Sequence, residues 1–168
     1  MATRTVVIPG TAFMSGGVAF PEPATIKATN DFWKTGVMIF PDTATKDAVG
    51  VEFDVPQDYV GTPKFQPIWT AAGTPGGNVQ WEFAYRTVGG DDTTSLDQAT
   101  AEETLTITDA APTATDRRLA PTAVAATAAN FSVGETIQLN VARDGTSGSD
   151  TMAAAAQLRY VIFSYTDV

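Results

Sequence analysis

Residues 78–88 alternate between apolar and other side chains, and this pattern constrains the fold more than any other feature of the sequence. Every second position is apolar: Val79, Trp81, Phe83 and Tyr85. The positions between them hold polar, charged or small residues. A period of two places all the apolar side chains on one face of an extended strand, whereas a helix requires a period of 3.6. The segment is therefore predicted to be a β-strand with one buried face.

The same alternation recurs along the chain, and segments rich in glycine, proline and aspartate separate its occurrences. After residue 35 it predicts eight antiparallel strands, which in about 130 residues suit a two-sheet jelly-roll sandwich whose sheets cover each other's apolar faces. The predicted fold class is all-β, and a small closed barrel is the competing architecture. The predicted strands are 36–40, 49–55, 64–71, 78–88, 103–109, 119–127, 135–143 and 157–166.

The last predicted strand, 157–166, carries large apolar residues on both faces. A strand with this pattern lies in the centre of a fold or against a neighbouring subunit, because both faces must leave water. We therefore treat four of its residues as candidates for a subunit contact. They are Tyr160, Ile162, Phe163 and Tyr165.

Residues 1–35 have a different character. Thr3 to Ile8 reads as one short strand, after which glycine and proline residues interrupt any regular element. We interpret 1–35 as an extended N-terminal arm and 36–168 as the sandwich domain. An arm of this kind cannot bury its own aromatic side chains, so these are expected to contact the sandwich, a symmetry-related copy or a larger assembly. The candidate anchors are Phe13, Phe20, Phe32 and Trp33.

Composition excludes several function classes. The sequence contains no cysteine and no histidine, which rules out disulfides, thiol nucleophiles and catalytic triads that use an imidazole. Ten basic and nineteen acidic residues give a net charge of −9, so phosphate backbones and anionic membranes repel the chain. No segment approaches the roughly 18 to 20 apolar residues of a membrane span, and residues 1–10 lack the apolar core of a signal peptide. We expect no nucleic-acid or membrane partner, no cofactor, and synthesis in a reducing cytoplasm.

Paired carboxylates are the remaining catalytic possibility. Glu52 and Asp54 share one face of a predicted strand, and Glu82 lies on another strand. A glycosidase uses such a pair, yet alternating acids on an outward face are also what any solvent-facing strand of an acidic protein shows. We favour the solvent-facing interpretation, which predicts that the chain is not an enzyme.

The segment from Asp144 to Asp150 is similar to the start of a calcium-binding loop, because it combines two aspartates with glycine and hydroxyl residues. Position twelve of such a loop requires a glutamate, and Ala155 stands there. A hairpin loop without metal is therefore expected.

Three tryptophans are candidates for stacking on sugar rings, as in a carbohydrate-binding sandwich. Trp81 is in register with predicted core residues, so it is expected to be buried. Trp33 and Trp69 remain the candidates for a ligand platform.

Three short motifs occur in a characteristic order: Trp-x-Phe at 81–83, a Gly-Glu turn at 134–135 before a strand that ends in Arg143-Asp144, and Asp150-Thr151 before the last strand. In this order they resemble the jelly-roll domains of tailed-bacteriophage virion proteins, found in capsid decoration (cement) proteins and in tail or fibre components. The resemblance covers about three quarters of the chain, from Pro41 to the C-terminus.

That resemblance implies a non-enzymatic structural protein of a phage particle, made in the host bacterial cytoplasm and located at the capsid surface. It also implies a homotrimer that binds the major capsid protein and stabilises the capsid lattice, with the N-terminal arm facing the capsid. Two alternatives stay open: a tail, baseplate or fibre module, and a carbohydrate-binding, lectin-like domain.

Overall fold

The computed structural model describes residues 1–15, 21–27, 33–90, 93, 96, 98–113 and 119–168. Over these ranges the chain forms β-strands and two short 3₁₀ turns, and no helix in them is long and apolar enough to cross a membrane. The strands are β1 Thr3–Pro9, β2 Met14–Ser15, β3 Glu22–Lys27, β4 Lys34–Phe40, β5 Lys46–Asp54, β6 Tyr59–Thr70, β7 Asn78–Val88, β8 Glu103–Ala110, β9 Ala120–Pro121, β10 Val124–Ala125, β11 Thr136–Asp144 and β12 Ala156–Asp167.

The strands form two antiparallel sheets. One has the order β10-β6-β12-β4-β3, with β1 also paired to β12 and β9 also paired to β6. The other has the order β2-β5-β11-β7-β8. The predicted all-β, two-sheet sandwich is therefore confirmed. The predicted number of eight strands is too low, because the segment before residue 36 contributes strands and 119–127 divides into β9 and β10.

The core between the sheets is aromatic. In β7 the apolar positions alternate inward as predicted, and all of them are buried. The ring of Phe65 on β6 lies at the centre of this aromatic core. Rings from both sheets and from the connecting segments surround it at distances typical of ring packing. Its centroid lies 5.7 Å from that of Phe83, 5.3 Å from Phe163 and 6.4 Å from Phe131.

The described strands of residues 1–35 pair with the sandwich, which is one of the three contacts expected for this segment. β1 pairs with β12 along its whole length, from Thr3 opposite Thr166 to Pro9 opposite Tyr160. β3 pairs with β4 in the same sheet, and β2 joins the other sheet beside β5. The physical reason is that β12 offers a row of unpaired backbone groups along its second half, which β1 satisfies.

Residues 2 and 4 form hydrogen bonds and an ion pair with Asp167, near the other end of the chain. The backbone N–H of Ala2 donates to the Asp167 carboxylate, and the N–H of Asp167 donates to the Ala2 carbonyl at 3.1 Å. Arg4 Nε lies 2.7 Å from Asp167 Oδ2. The Ala2 backbone hydrogen bond, assisted by Arg4, lowers the pKa of Asp167 below its ordinary value. These contacts fasten β1 to the end of β12.

Candidate functional site

Two of the three tryptophans are part of the core. The indole Nε1 of Trp69 donates to Asp109 Oδ2 at 2.8 Å, and Asp109 also accepts a hydrogen bond from Thr122 Oγ1 at 2.7 Å. The ring of Trp81 packs edge-to-face against Phe40, with centroids 5.1 Å apart. Both indoles are fully buried, so the prediction for Trp81 is confirmed and Trp69 cannot serve as a ligand platform.

Trp33 is 71% exposed and borders a cleft of about 320 Å³ on the seven-stranded sheet. We call this site the tryptophan cleft. Its walls come from the last residues of β3, the start of β4, the end of β6, the segment before β9, and β12. The lining residues are Ile26, Lys27, Trp33, Thr35, Thr70, Leu119 and Arg159.

The sheet register assembles this cleft from segments that are distant in sequence. Ile26 stands directly opposite Thr35 in the β3-β4 ladder, beside the position of Trp33. Arg159 occupies a register shift in the pairing of β12 with β6, between Leu158 and Tyr160. Such a bulge redirects a side chain, and here Arg159 is exposed with its guanidinium carbon 5.4 Å from the centre of the Tyr160 ring.

The tryptophan cleft combines a flat apolar ring with hydrogen-bonding groups. The indole offers an apolar face, the Thr35 hydroxyl both donates and accepts, and Lys27 and Arg159 donate. Among the described residues that line the cleft, two carry a positive charge and none carries a negative charge. The arrangement suits a ligand with a flat apolar face and acceptor groups at its edge.

A second depression, of about 350 Å³, lies on the outer face of the five-stranded sheet. We call it the polar groove. Gln138 Nε2 donates to Glu52 Oε1 at 2.5 Å, and Arg86 Nε donates to Gln138 Oε1 at 2.5 Å. Glu52, Gln138 and Arg86 thus form a row across β5, β11 and β7, in which the negative charge of Glu52 is balanced by the positive charge of Arg86. Its polar groups already bind one another, and the residues described around it place no tryptophan there. The tryptophan cleft is therefore the stronger candidate for a ligand.

Two of the carboxylates considered for catalysis, Glu52 and Glu82, lie far apart in the five-stranded sheet. Glu52 on β5 and Glu82 on β7 are separated by β11, and the ladder places Glu52 in the row of Arg86, four residues along β7 from Glu82. Two strand spacings of about 4.8 Å and four residues of about 3.3 Å each separate these two side chains. This separation is larger than the about 5 to 9.5 Å between the paired carboxyl groups of glycosidases. Glu82 instead accepts from Lys46 Nζ at 2.7 Å, and Asp54 accepts from the Thr136 hydroxyl at 3.1 Å.

The loop after β11 is organised around an arginine. Arg143 Nε and Nη2 bind the two carboxylate oxygens of Asp150 at 2.9 and 2.7 Å. Asp144 caps its own turn, and the hydrogen bond from the Thr146 hydroxyl lowers the pKa of Asp144. Within the described ranges no group of three or more acidic residues could hold a metal ion. The guanidinium thus pairs with Asp150, one of the two aspartates of this segment.

Sequence reasoning missed the role of Arg143, although a signal was present. In β11 the inward positions are Ile137, Leu139 and Val141, and the next inward position is Arg143. A charged residue in register with core residues requires buried partners. The Arg143-Asp144 and Asp150-Thr151 motifs noted in the sequence therefore contain the two halves of one buried ion pair.

The predicted N-terminal anchors differ in their exposure to solvent. Phe13 is 5% exposed and packs in the core, so it is unavailable to a partner, and this corrects its assignment as a surface anchor. Its ring is buried because the chain returns to the sandwich through β1 and β2. Phe20 and Phe32 lie outside the described residues. Trp33 is exposed, as an anchor or ligand platform requires.

The four candidates on β12 divide between the two faces of the sheet. Phe163 and Tyr165 point into the core and are buried, which corrects their assignment to a subunit contact. Tyr160 and Ile162 are half-buried on the outer face. Val7 of β1 stands opposite Ile162 and is 56% exposed. β12 lies inside its sheet, between β6 on one side and β4 and β1 on the other, so neighbouring strands pair with both of its edges.

Neither the protein-family models nor the curated protein sequences yield a match to this chain. Among solved structures, the CBM35 from Cellvibrio japonicus Abf62 is 12% identical, with 98% of this chain and 95% of that chain covered and a TM-score of 0.50. The CBM36-1 domain of a multidomain xylanase from the hindgut metagenome of Trinervitermes trinervoides is 13% identical, with 98% and 100% covered and a TM-score of 0.46. Infectious bursal disease virus, Gx strain, gives 9% identity, 99% and 34% coverage and a TM-score of 0.46.

These likenesses concern the fold. The similarity to the CBM35, a carbohydrate-binding module, extends over nearly the full length of both chains, and it confirms the predicted jelly-roll arrangement of the two sheets. At this level of sequence identity it assigns no ligand or activity.

Proposed function

We propose that the chain is a non-catalytic carbohydrate-binding domain that holds its ligand in the tryptophan cleft. The observation that carries the proposal is Trp33, a large aromatic residue that stays 71% exposed beside hydrogen-bonding side chains. An exposed indole at the edge of a cleft provides a flat apolar surface on which a ligand ring can stack. Sugar rings match such a site, because their C–H faces stack on the indole while their hydroxyl groups form hydrogen bonds.

The shared fold supports this proposal by analogy. A sandwich similar to a carbohydrate-binding module can present a ligand site without any catalytic group. Glu52 and Glu82 each accept a hydrogen bond from a neighbouring side chain and lie too far apart to act as a pair, which accords with binding without hydrolysis.

We expect Trp33→Ala to weaken glycan binding by about 30-fold, equivalent to about 2 kcal/mol, because it removes the stacking surface at the centre of the site. A glycan array identifies the ligand, and isothermal titration calorimetry measures the affinity. Trp33→Phe keeps a ring and should retain part of the affinity.

The matched control is Val133→Ala, which trims an exposed apolar residue away from the cleft and should bind like the unmodified protein. Circular dichroism checks that each variant is folded. The proposal fails if the unmodified protein binds no neutral or acidic glycan, or if Trp33→Ala binds as well as the unmodified protein.

A second candidate function is the structural subunit of a phage capsid surface. The observation in its favour is the apolar row formed by Val7, Ile162 and Tyr160 on the outer face of the seven-stranded sheet. A cross-strand apolar pair on an open sheet face suits contact with another protein surface. On this proposal the row joins copies into a homotrimer that binds the major capsid protein of the same particle.

For this candidate, sedimentation velocity should show a trimer for the unmodified protein. Ile162→Lys should give a monomer with the same circular dichroism spectrum, because it places a charge in the apolar contact. Lys64→Gln, on the same sheet, should leave the trimer intact. A monomeric unmodified protein would exclude a trimer built on this row.

A further inference from the structure

We propose that the tryptophan cleft selects acidic sugars, whose rings carry carboxylate groups, over neutral sugars of the same linkage. This inference rests on the proposed carbohydrate-binding function and names its ligand class. The feature that carries it is a local reversal of charge. The chain as a whole has a net charge of −9, whereas the described lining of the cleft contains Lys27 and Arg159 and no acid.

A third cation lies next to the cleft. Lys34 stands directly opposite Lys27 in the β3-β4 ladder, and both side chains are exposed. The chain has only 10 basic residues, so this arrangement is an unusual concentration. Lys27, Lys34 and Arg159 thus place three cationic side chains at or beside the cleft, and each attracts a ligand carboxylate.

Arg159 is suited to recognise a carboxylate. Its planar guanidinium can donate two parallel hydrogen bonds to the two oxygens of one carboxylate group, which a hydroxyl group cannot match. The bulge in β12 directs the side chain outward, and contact with the Tyr160 ring at 5.4 Å restricts its orientation. Restriction before binding reduces the entropy lost when the ligand is held.

Different residues of the cleft then contact different parts of the ligand. Trp33 stacks on the face of the sugar ring and binds acidic and neutral sugars alike. Arg159, with Lys27 and Lys34, binds the carboxylate at the edge of the ring. Salt should therefore weaken binding of the acidic ligand, because exposed charges are screened over about 8 to 10 Å at 0.1 to 0.15 M salt, while binding of a neutral ligand should change little.

The test compares acidic polysaccharides with chemically matched neutral ones. The probes are fragments of polygalacturonate, alginate and hyaluronate, each alongside its carboxyl-reduced form, measured by calorimetry at low and high sodium chloride. We expect at least one acidic fragment to bind at least 10-fold more tightly than its reduced form. We expect Arg159→Gln to reduce that difference to about 2-fold or less, with little change in binding of the reduced form.

Lys64→Gln is the matched control, because it removes the same charge from an exposed position on the same sheet, outside the cleft lining. It should leave the preference intact. If reduced and acidic fragments bind equally and Trp33→Ala abolishes both, the charge inference is overturned and the proposed function stands. If no fragment or other glycan binds, both fall. Tighter binding of dextran sulfate than of every carboxylated fragment would also overturn the assignment of a carboxylate.

Discussion

Replacing Arg143 with methionine should lower the free energy of unfolding by about 3 to 5 kcal/mol. The arginine side chain is 1% exposed, and that of its partner Asp150 is 2% exposed. Without the guanidinium, a carboxylate stays buried without its countercharge, and three backbone carbonyls lose their donor. Those carbonyls belong to Pro41, Met152 and Ala154, at 3.3, 2.6 and 2.7 Å. Urea unfolding followed by tryptophan fluorescence measures the effect.

Two further variants identify the cause of this loss. Arg143→Met combined with Asp150→Asn should recover part of the stability, because the unpaired charge is then removed. Arg159→Met, at an exposed arginine, should change the free energy of unfolding by less than about 0.5 kcal/mol. A loss below about 1 kcal/mol for Arg143→Met would contradict the view that this ion pair holds the loop.

Replacing Phe163 with alanine should cost about 3 to 5 kcal/mol, whereas Ile162→Ala, one position away, should cost about 1 kcal/mol or less. The Phe163 ring is fully buried between the sheets, so its removal leaves a cavity. Ile162 is half-buried on the outer face, where water can replace it. The ring of Phe163 packs against Phe53, Phe65 and Phe131, with centroids 5.6, 5.3 and 5.6 Å apart.

Equilibrium unfolding of both variants at one protein concentration makes this comparison. Equal losses for the two variants would mean that the outer face of β12 is packed as tightly as the inner one. If the unmodified protein is a trimer through this face, the Ile162→Ala loss should grow with protein concentration, because association then stabilises the folded state.

The strands that carry a clean period of two were predicted from sequence to within a few residues. The segment 78–88 is β7, 135–143 corresponds to Thr136–Asp144, and 49–55 overlaps Lys46–Asp54. Alternation predicts these strands because it is a local property: an extended backbone turns successive side chains to opposite faces whatever its partners are. The fold class follows from the repetition of this pattern and the absence of helical periodicity.

The strand at Thr3 to Ile8 was predicted, but its pairing partner could not be, because the pairing depends on distant residues. Glycine and proline interrupt regular patterns there, yet β1 finds its partner in β12, and Ala2 and Asp167 are 165 positions apart. Pairing over such separations cannot be read from the segment itself. The burial of Phe13 has the same origin.

For the candidate site, the sequence alone determined that three tryptophans exist, that Trp81 shares the face of core residues, and that the common catalytic residues cysteine and histidine are absent. Only the tertiary structure decided that Trp69 is buried, with its indole hydrogen-bonded to Asp109. It likewise decided that Trp33 is exposed beside Lys27 and Arg159. It also decided that Arg143 takes Asp150 as its partner. The reason is physical: alternation states which face of its own strand a side chain occupies, whereas exposure and charge pairing depend on what the rest of the chain places against that face.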